Sequence, residues 1–189
     1  MSSIEPKLFV ISGPSGAGKG TLVARVRERR HDLGLTVSAT TREPRAGEVD
    51  GVNYHFLSDE EFSRRVEAGA FVEWAQVHNH RYGTLASEVD RNLATGRSLI
   101  LEIDVQGALA VRERFPDAVL IFIEPPSLEE LRARLIGRGS ETPASLELRM
   151  ANAERELALA GSYNEVIVND DLTRATDELL AVLQRYERI

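Results

Sequence analysis

The residues with the clearest chemical meaning form a glycine-rich segment near the N-terminus, Gly13-Pro-Ser-Gly-Ala-Gly-Lys-Gly-Thr21. An apolar run, Leu8 to Ile11, precedes it and predicts a buried strand, and a helical pattern follows from about Lys19 to Arg30. Strand, glycine-rich loop, lysine and helix in this order are typical of a phosphate-binding loop. Backbone N–H groups can turn inward around phosphate oxygens, the helix N-terminus adds a positive dipole, and Lys19 adds a mobile charge. The segment therefore predicts a site for the phosphates of a nucleotide.

Gly20 departs from this pattern, which has Ser or Thr after the lysine as a magnesium ligand. Thr21 follows one residue too late to be the same ligand. We therefore predict that magnesium is held mainly by water and by the nucleotide, as is common for this hard cation. No direct side-chain ligand is assigned to it.

Two arginines further along the chain are candidates for a second phosphate site. Arg42 and Arg45 lie in a loop rich in Gly and Pro, between predicted strands at Leu35–Thr41 and Val52–Phe56. The planar guanidinium group makes bidentate contacts with phosphate, and Tyr54 lies on the neighbouring segment. The competing interpretation is a surface loop in which the arginines form salt bridges.

Two carboxylates interrupt apolar strands where a ligand could use them. Glu73 lies within the predicted strand Phe71–Val77, where it either faces water or accepts from adjacent N–H groups such as those of guanine. Asp104 ends the predicted strand Ser98–Asp104, and ligands of open parallel sheets bind beyond the carboxyl ends of the strands. Asp104 is therefore a candidate for a place near magnesium, or for the N-cap of a helix starting near Val105.

An arginine-dense region follows in the second half of the chain. Arg134 lies on a predicted helix, Leu128–Ile136, Arg138 comes just after it, and Arg149 lies on a long predicted helix, Ala144–Ala160. Arginines on a hinged helical flap could close over a triphosphate and neutralise charge during a transfer reaction. A charged helical hairpin on the surface is the alternative.

Composition excludes several classes of protein. The chain has 189 residues, 42% of them hydrophobic and 28% charged, with a net charge of −7. The negative charge argues against a protein that mainly holds nucleic acid. The absence of cysteine excludes disulfides and cysteine metal sites. Without an apolar run of 18 residues or an apolar leader, the expected location is the cytoplasm, with no membrane partner.

The order of the predicted elements indicates an α/β fold. Helices alternate with apolar strands, which predicts a P-loop NTPase-like parallel sheet flanked by helices, with one β-rich and one helical insertion. We expect a single domain, 1–189, with a core at about 1–36, 89–125 and 161–189. The β-rich insertion is expected at about 37–88 and the helical lid at about 126–160.

Several longer motifs make essentially the whole chain, from Phe9 to the last helix, resemble the guanylate kinases, which are nucleoside monophosphate kinases. The motifs are Ser38-Ala-Thr-Thr-Arg-Glu-Pro-Arg-Ala-Gly-Glu48, Glu73-Trp-Ala75, Tyr82-Gly-Thr84, Asp104-Val-Gln-Gly107, Arg134-Leu-Ile-Gly-Arg-Gly139 and Val168-Asn-Asp-Asp171. The resemblance implies that ATP and GMP react to ADP and GDP with magnesium, that the β-rich insertion binds GMP, and that dGMP is also accepted.

The resemblance also implies a set of site residues. ATP is expected at Gly13, Pro14, Ser15, Gly16, Ala17, Gly18, Lys19, Gly20 and Thr21, with Asn169 near the adenine. The GMP phosphate is expected at Arg42, Arg45, Tyr54 and Tyr82, and the guanine at Ser38, Glu73, Thr84 and Asp104. The expected catalytic side chains are Lys19, Arg134, Arg138 and Arg149.

Two other functions remain open alternatives. One is a P-loop kinase for a sugar phosphate such as ribose 1,5-bisphosphate, which needs phosphate-binding arginines but no guanine-reading carboxylate. The other is a non-catalytic module of the same fold that binds peptides, which has no need of a complete phosphate loop. The oligomeric state, monomer or homodimer, also remains open.

Overall fold

The computed structural model describes residues 5–34, 36–77, 79–137 and 142–188. Within these ranges, strands and helices follow one another along the chain with short connections. In order they are β1 (Leu8–Ser12), α1 (Lys19–Arg29), β2 (Ala39–Thr40), β3 (His55–Phe56), α2 (Asp59–Glu67), β4 (Phe71–Val77), β5 (His80–Leu85), α3 (Ala86–Ala94), β6 (Leu99–Glu102), α4 (Val105–Arg114), β7 (Val119–Glu124), α5 (Leu128–Gly137), α6 (Pro143–Leu157), a 3-10 turn (Ala160–Ser162), β8 (Glu165–Val168) and α7 (Leu172–Glu187).

The core is a parallel sheet with the strand order β6-β1-β7-β8 in the described part of the chain. Both of its faces are covered. Leu8 and Val10 pack in one apolar cluster with residues of α3 and α4, whereas Phe9 and Ile11 pack in another with residues of α1 and α7. A parallel strand that is buried on both faces must be apolar throughout, which explains the continuous Leu-Phe-Val-Ile run.

The insertion at 37–88 forms a second, smaller sheet with the order β3-β2-β5-β4. β2 is parallel to β3, and the other two pairings are antiparallel. Its own core contains Ala39, Phe62, Phe71 and Leu85, and the rings of Phe62 and Phe71 stack with centroids 4.4 Å apart. This small sheet therefore has an apolar core of its own.

Helices α5 and α6 form the helical insertion. Leu131 and Leu135 of α5 pack against Leu146, Met150 and Ala153 of α6, in a cluster separate from those of the main sheet. The helix α6 begins with a capping box between Thr142 and Ser145. Among the described residues, no helix combines the length and the apolar character needed to cross a membrane.

The strand predictions were least accurate in the β-rich insertion. The predicted strands Leu35–Thr41 and Val52–Phe56 are reduced to the two-residue strands β2 and β3, and Leu35 lies outside the described residues. Here the chain folds back on itself, since the Val49 N–H donates to the Asn53 side chain at 2.8 Å. Side-chain bonds of this kind compete with strand pairing. Helix α2 begins at a Ser58 cap, whose hydroxyl group accepts from the Glu61 N–H at 3.1 Å.

A buried ion pair connects the first and last helices and yields a test of the fold. The guanidinium group of Arg30 donates to both oxygens of Glu187, at 3.1 and 3.0 Å, and the Glu187 side chain is only 4% exposed. Glu187→Ala leaves this cation with Asp32 as its remaining carboxylate partner. Because the remaining partner is an exposed carboxylate and the buried one is lost, we expect a loss of about 2–3 kcal/mol in unfolding free energy, measured by urea denaturation.

The matched control is Asp177→Ala on the same helix pair. Asp177 pairs with Arg29, but both side chains are largely exposed, at 60% and 45%. Exposed pairs of this kind are worth about 0–1 kcal/mol. Equal effects of the two substitutions would contradict the structural importance of the Arg30–Glu187 pair.

Candidate active site

The loop between β1 and α1 has a backbone that only glycine permits at two places. Gly13 and Gly18 have φ angles of 140° and 91°. A Cβ atom added at Gly13 would lie 2.3 Å from the carbonyl oxygen of Ile123, and one added at Gly18 would lie 2.4 Å from Nδ2 of Asn169. The loop is therefore packed against the ends of β7 and β8, and its amides are held at the carboxyl edge of the sheet.

Two side chains support this phosphate loop from within. The Lys19 ammonium group donates to the carbonyl oxygens of Gly13 and Pro14, at 2.6 and 3.1 Å. The Asn169 amide group is buried and donates to the Ala17 carbonyl at 2.7 Å. Asn169, which was predicted to lie near the adenine, thus contacts the phosphate loop directly and stabilises its backbone through this hydrogen bond.

A cavity of about 300 Å³ lies over the loop and contains a carboxylate that the sequence analysis did not assign. The lining residues are Ser15, Gly16, Gly18, Lys19, Gly20, Thr21 and Glu102. A Cβ atom at Gly20 would lie 3.4 Å from Oε1 of Glu102, so the absence of a side chain there leaves room for this carboxylate. Burial raises the pKa of Glu102, and the charge of Lys19 acts in the opposite direction. We call this space the phosphate-loop cavity.

A second cavity, of about 430 Å³, lies between the small sheet and the end of β6. We call it the lobe cavity. It brings together six of the eight residues predicted to bind GMP, which are Ser38, Tyr54, Glu73, Tyr82, Thr84 and Asp104. Glu102 lines both cavities, so the two spaces adjoin at this side chain. Arg27 of α1 also lines the lobe cavity.

Glu73 has the environment of a functional carboxylate. Its Oε1 accepts a hydrogen bond from the Thr84 hydroxyl group at 2.8 Å. Burial raises the pKa of Glu73, the Thr84 bond lowers it, and the nearby charge of Asp104 raises it further. Gly107 lets α4 approach β4 here, because a Cβ atom would lie 3.3 Å from the Cγ atom of Glu73.

Asp104 caps the helix that follows it. Its Oδ1 accepts from the Gly107 N–H at 2.7 Å, which confirms the N-cap interpretation of this residue. Asp104 also lines the lobe cavity but is not part of the described lining of the phosphate-loop cavity, where Glu102 lies instead. Glu102 could have been suspected from its position, because residues 102 and 104 of an extended chain point to the same side.

Neither of the two predicted phosphate-binding arginines is part of the described lining of the lobe cavity. The Arg42 guanidinium group lies over the rings of Tyr54 and Phe56, 5.5 and 5.7 Å from their centroids, and donates to Glu48 at 2.9 Å. The side chain of Arg45 is exposed, and its backbone N–H donates to Glu48 at 2.7 Å. Arg42 thus forms a salt bridge, as the competing interpretation predicted. It contacts the lobe cavity indirectly, through the ring of Tyr54, which lines the cavity.

The helical insertion, formed by α5 and α6, also contacts the phosphate loop. Arg149 donates to the Ser15 hydroxyl group at 2.9 Å, and Arg134 donates to the Asn169 carbonyl at 3.0 Å and to Glu130 at 2.9 Å. Helix α5 lies against the loop, because a Cβ atom at Gly16 would collide with the side chains of α5 at 2.9 Å. Arg138 lies outside the described residues.

The parallel sheet and this phosphate loop define a P-loop α/β fold. The shikimate kinase of Bacteroides thetaiotaomicron shares the fold with a TM-score of 0.51 at 15% identity, over 94% of this chain and 98% of that one. A more specific match is the sequence model of the guanylate kinase family, which covers residues 5–186. The chain belongs to the guanylate kinase family.

Individual relatives agree with this assignment. The chain is similar to the guanylate kinase of Caldanaerobacter subterraneus subsp. tengcongensis, with 53% identity over 93% of this chain and 85% of that protein. It is 46% identical to the guanylate kinase of Mycobacterium leprae, over 94% of this chain and 85% of that protein. A crystal structure of guanylate kinase from Anaplasma phagocytophilum superposes with a TM-score of 0.75 at 33% identity, over 100% and 90% of the two chains.

The contact between Gly18 and Asn169 gives a test of the phosphate loop. Gly18→Ala forces a left-handed backbone on a residue with a side chain and pushes Asn169 away from the Ala17 carbonyl. A left-handed alanine costs about 1–2 kcal/mol, so we expect roughly tenfold weaker ADP binding by isothermal titration. Gly161→Ala is the control, because nothing lies within 4 Å of its added Cβ atom. Unchanged ADP affinity in Gly18→Ala would contradict this view of the loop.

Proposed function

We propose that this protein transfers the γ-phosphoryl group of ATP to GMP, forming ADP and GDP. The observation that carries the proposal is the pair of adjoining cavities, one over the phosphate loop and one beside Glu73, with Glu102 as a shared wall. A phosphoryl donor in the first cavity and an acceptor in the second lie side by side. Family membership supports the same reaction.

The base of GMP binds in the lobe cavity. The two oxygens of Glu73 accept from N1–H and the 2-amino group of guanine, and Thr84 holds the carboxylate in place through its hydroxyl group. Adenine offers no N–H at N1 and no 2-amino group, so it would leave the half-buried carboxylate without the two donors that guanine supplies. Ser38 and Asp104, which line the same cavity, complete the contacts to the base.

The phosphate of GMP binds towards Arg42, Arg45, Tyr54 and Tyr82. The rings of Tyr54 and Tyr82 meet edge to face, with centroids 6.1 Å apart, so the two hydroxyl groups belong to one wall of the cavity. Arg42 exchanges its contact with Glu48 for the phosphate, which offers a bidentate partner of higher charge. Arg45 reaches the phosphate when the β-rich insertion closes.

Phosphoryl transfer then requires positioning and charge neutralisation more than covalent help. An oxygen of the GMP phosphate attacks the γ-phosphorus atom, the bond to the bridging oxygen breaks, and ADP leaves with that oxygen. Lys19 and the lid side chains Arg134, Arg138 and Arg149 neutralise the charge on the transferring group. Closure of the lid excludes water and so limits hydrolysis of ATP.

The residues around the phosphate-loop cavity fit a divalent cation, and we assign Mg²⁺ to this place. Magnesium prefers oxygen ligands and keeps part of its water shell. Glu102 and Thr21 provide a carboxylate and a hydroxyl group beside Gly20, and they would hold the hydrated ion there. When bound, the ion neutralises charge on the β- and γ-phosphates. Because both substrates belong to nucleotide metabolism, we infer a cytoplasmic location.

A substrate panel tests this function against its rivals. We expect ADP release from ATP with GMP and with dGMP, and at least about 100-fold lower kcat/KM with AMP, because AMP lacks the two N–H donors that Glu73 would accept from guanine. A coupled assay of ADP release measures all of these, with ribose 1,5-bisphosphate as a further acceptor. Preference for the sugar phosphate, or no turnover with any acceptor, would favour the sugar-phosphate kinase or the non-catalytic module respectively.

Glu73 is the residue on which discrimination should depend most. Glu73→Gln removes one of two acceptors and its charge, so we expect kcat/KM for GMP to fall roughly 100-fold with little change in the KM for ATP. Glu67→Gln, an exposed residue of the same insertion, is the control. A Glu73→Gln enzyme that phosphorylates GMP as well as wild type would end the assignment.

The pH dependence follows from the same carboxylate. Only ionised Glu73 can accept from both N–H groups of guanine, and burial raises its pKa above the ordinary value for Glu. As pH falls through this raised pKa, the carboxylate takes up a proton and the KM for GMP rises. The rise should begin at a higher pH than an ordinary glutamate would give, and the Glu73→Gln variant should not show it.

A further inference from the structure

Carboxyl groups with a raised pKa are concentrated around the cleft. Within the described residues they are Glu73, Glu102 and Glu156, and burial is the largest cause for each. Such groups are characteristic of functional sites. Glu73 and Glu102 have places in the reaction proposed above. Glu156, on the lid helix α6, has none so far.

Glu156 lies where α6 passes from the lid to the main sheet. Ala153, one turn before it, belongs to the apolar cluster of the lid. Leu157, directly after it, packs against the core of the main sheet, and Ala160 is buried there. The position of Glu156 is therefore fixed by both parts of the molecule.

The side chain of Glu156 lies within electrostatic range of two residues of the cleft, Lys19 and Asp104. Arg149 and Glu156 are seven residues apart, or about two helical turns, and so share one face of α6. Arg149 on this face reaches Ser15 of the phosphate loop. Glu156 interacts electrostatically with Lys19, whose charge lowers its pKa, and with Asp104, whose charge raises it. The hydroxyl group of Tyr163 also lies within range of Glu156.

The partial burial of this carboxylate lowers the stability of the folded protein. Glu156 is half-buried, and its side chain makes no hydrogen bond or ion pair with the residues that the structure describes. Buried carboxylates normally have such partners, because an unpaired charge loses its hydration without compensation. An uncharged amide of the same shape would fit here at a lower cost. The negative charge itself is therefore the property to explain.

We propose that Glu156 is a positioning residue that acts through Lys19, an inference that rests on the proposed kinase function. The Lys19 ammonium group donates to two carbonyl oxygens of the phosphate loop. Contact with the transferring phosphoryl group draws the ammonium group outward, towards the cleft and away from these carbonyls. A negative charge on the lid side of the cleft lowers the energy of the ammonium group in this outward position. The same charge repels the phosphates of bound ATP.

The experiment compares Glu156→Gln with wild type in three measurements. We expect kcat for GMP phosphorylation to fall about tenfold, the scale of one screened charge interaction. We expect the affinity for a nonhydrolysable ATP analogue with Mg²⁺, measured by calorimetry, to stay unchanged or to increase. We expect the melting temperature to rise by about 2 °C or more, because a buried charge is replaced by an amide.

Two further variants serve as controls. Glu154→Gln changes an exposed residue of the same helix and should match wild type in all three measurements. Glu156→Asp keeps the charge and should recover most of the lost kcat. Unchanged kcat in Glu156→Gln would overturn the inference. So would a fall in kcat accompanied by a lower melting temperature and weaker analogue binding, because that combination describes a structural role. A wild-type enzyme without GMP kinase activity would overturn the proposed function itself.

Discussion

Close packing of the phosphate loop against three neighbouring elements is the constraint on which the rest of the structure depends. Gly13 lies against the end of β7, Gly16 against α5 and Gly18 against Asn169 after β8, each closer than a side chain would permit. A loop whose amides must converge on phosphate cannot be held by its own hydrogen bonds alone. The neighbours supply that rigidity, so the main sheet and the root of the lid are both part of the nucleotide site.

Much of this arrangement could be predicted because it is local. The strand before the loop is apolar on both faces, and the capping residue of α2 shows directly in the order of side chains. The strands of the β-rich insertion were harder to predict. The segment Val52-Asn-Tyr-His-Phe56 alternates like a strand, but its first half belongs to a turn that the Asn53 side chain stabilises. Alternation reports which side chains face the core, and it does not report whether the backbone is paired.

Site residues could be predicted where they belong to a sequence motif. They could not be predicted where their role depends on a contact with a residue far away in the chain. Six residues assigned to the acceptor by resemblance do line one cavity. Glu102 was missed because its significance depends on the empty space at Gly20, which lies 82 positions away in the chain, from 20 to 102, and comes within reach only in the folded protein. Asn169 was placed near the adenine, and its contact with the Ala17 carbonyl could not be inferred from spacing.

Three cations of the cleft form hydrogen bonds with groups of the protein itself. Lys19 is bound to loop carbonyls, Arg42 to Glu48 and Arg149 to Ser15. Each of these partners carries at most one negative charge, so a phosphate group with two charges displaces them with a net gain. Binding is then an exchange of partners within a preformed site. Such an exchange favours ligands that bring phosphate groups to both cavities at once. Phosphate in one cavity alone leaves the cations of the other cavity with their partners in the protein.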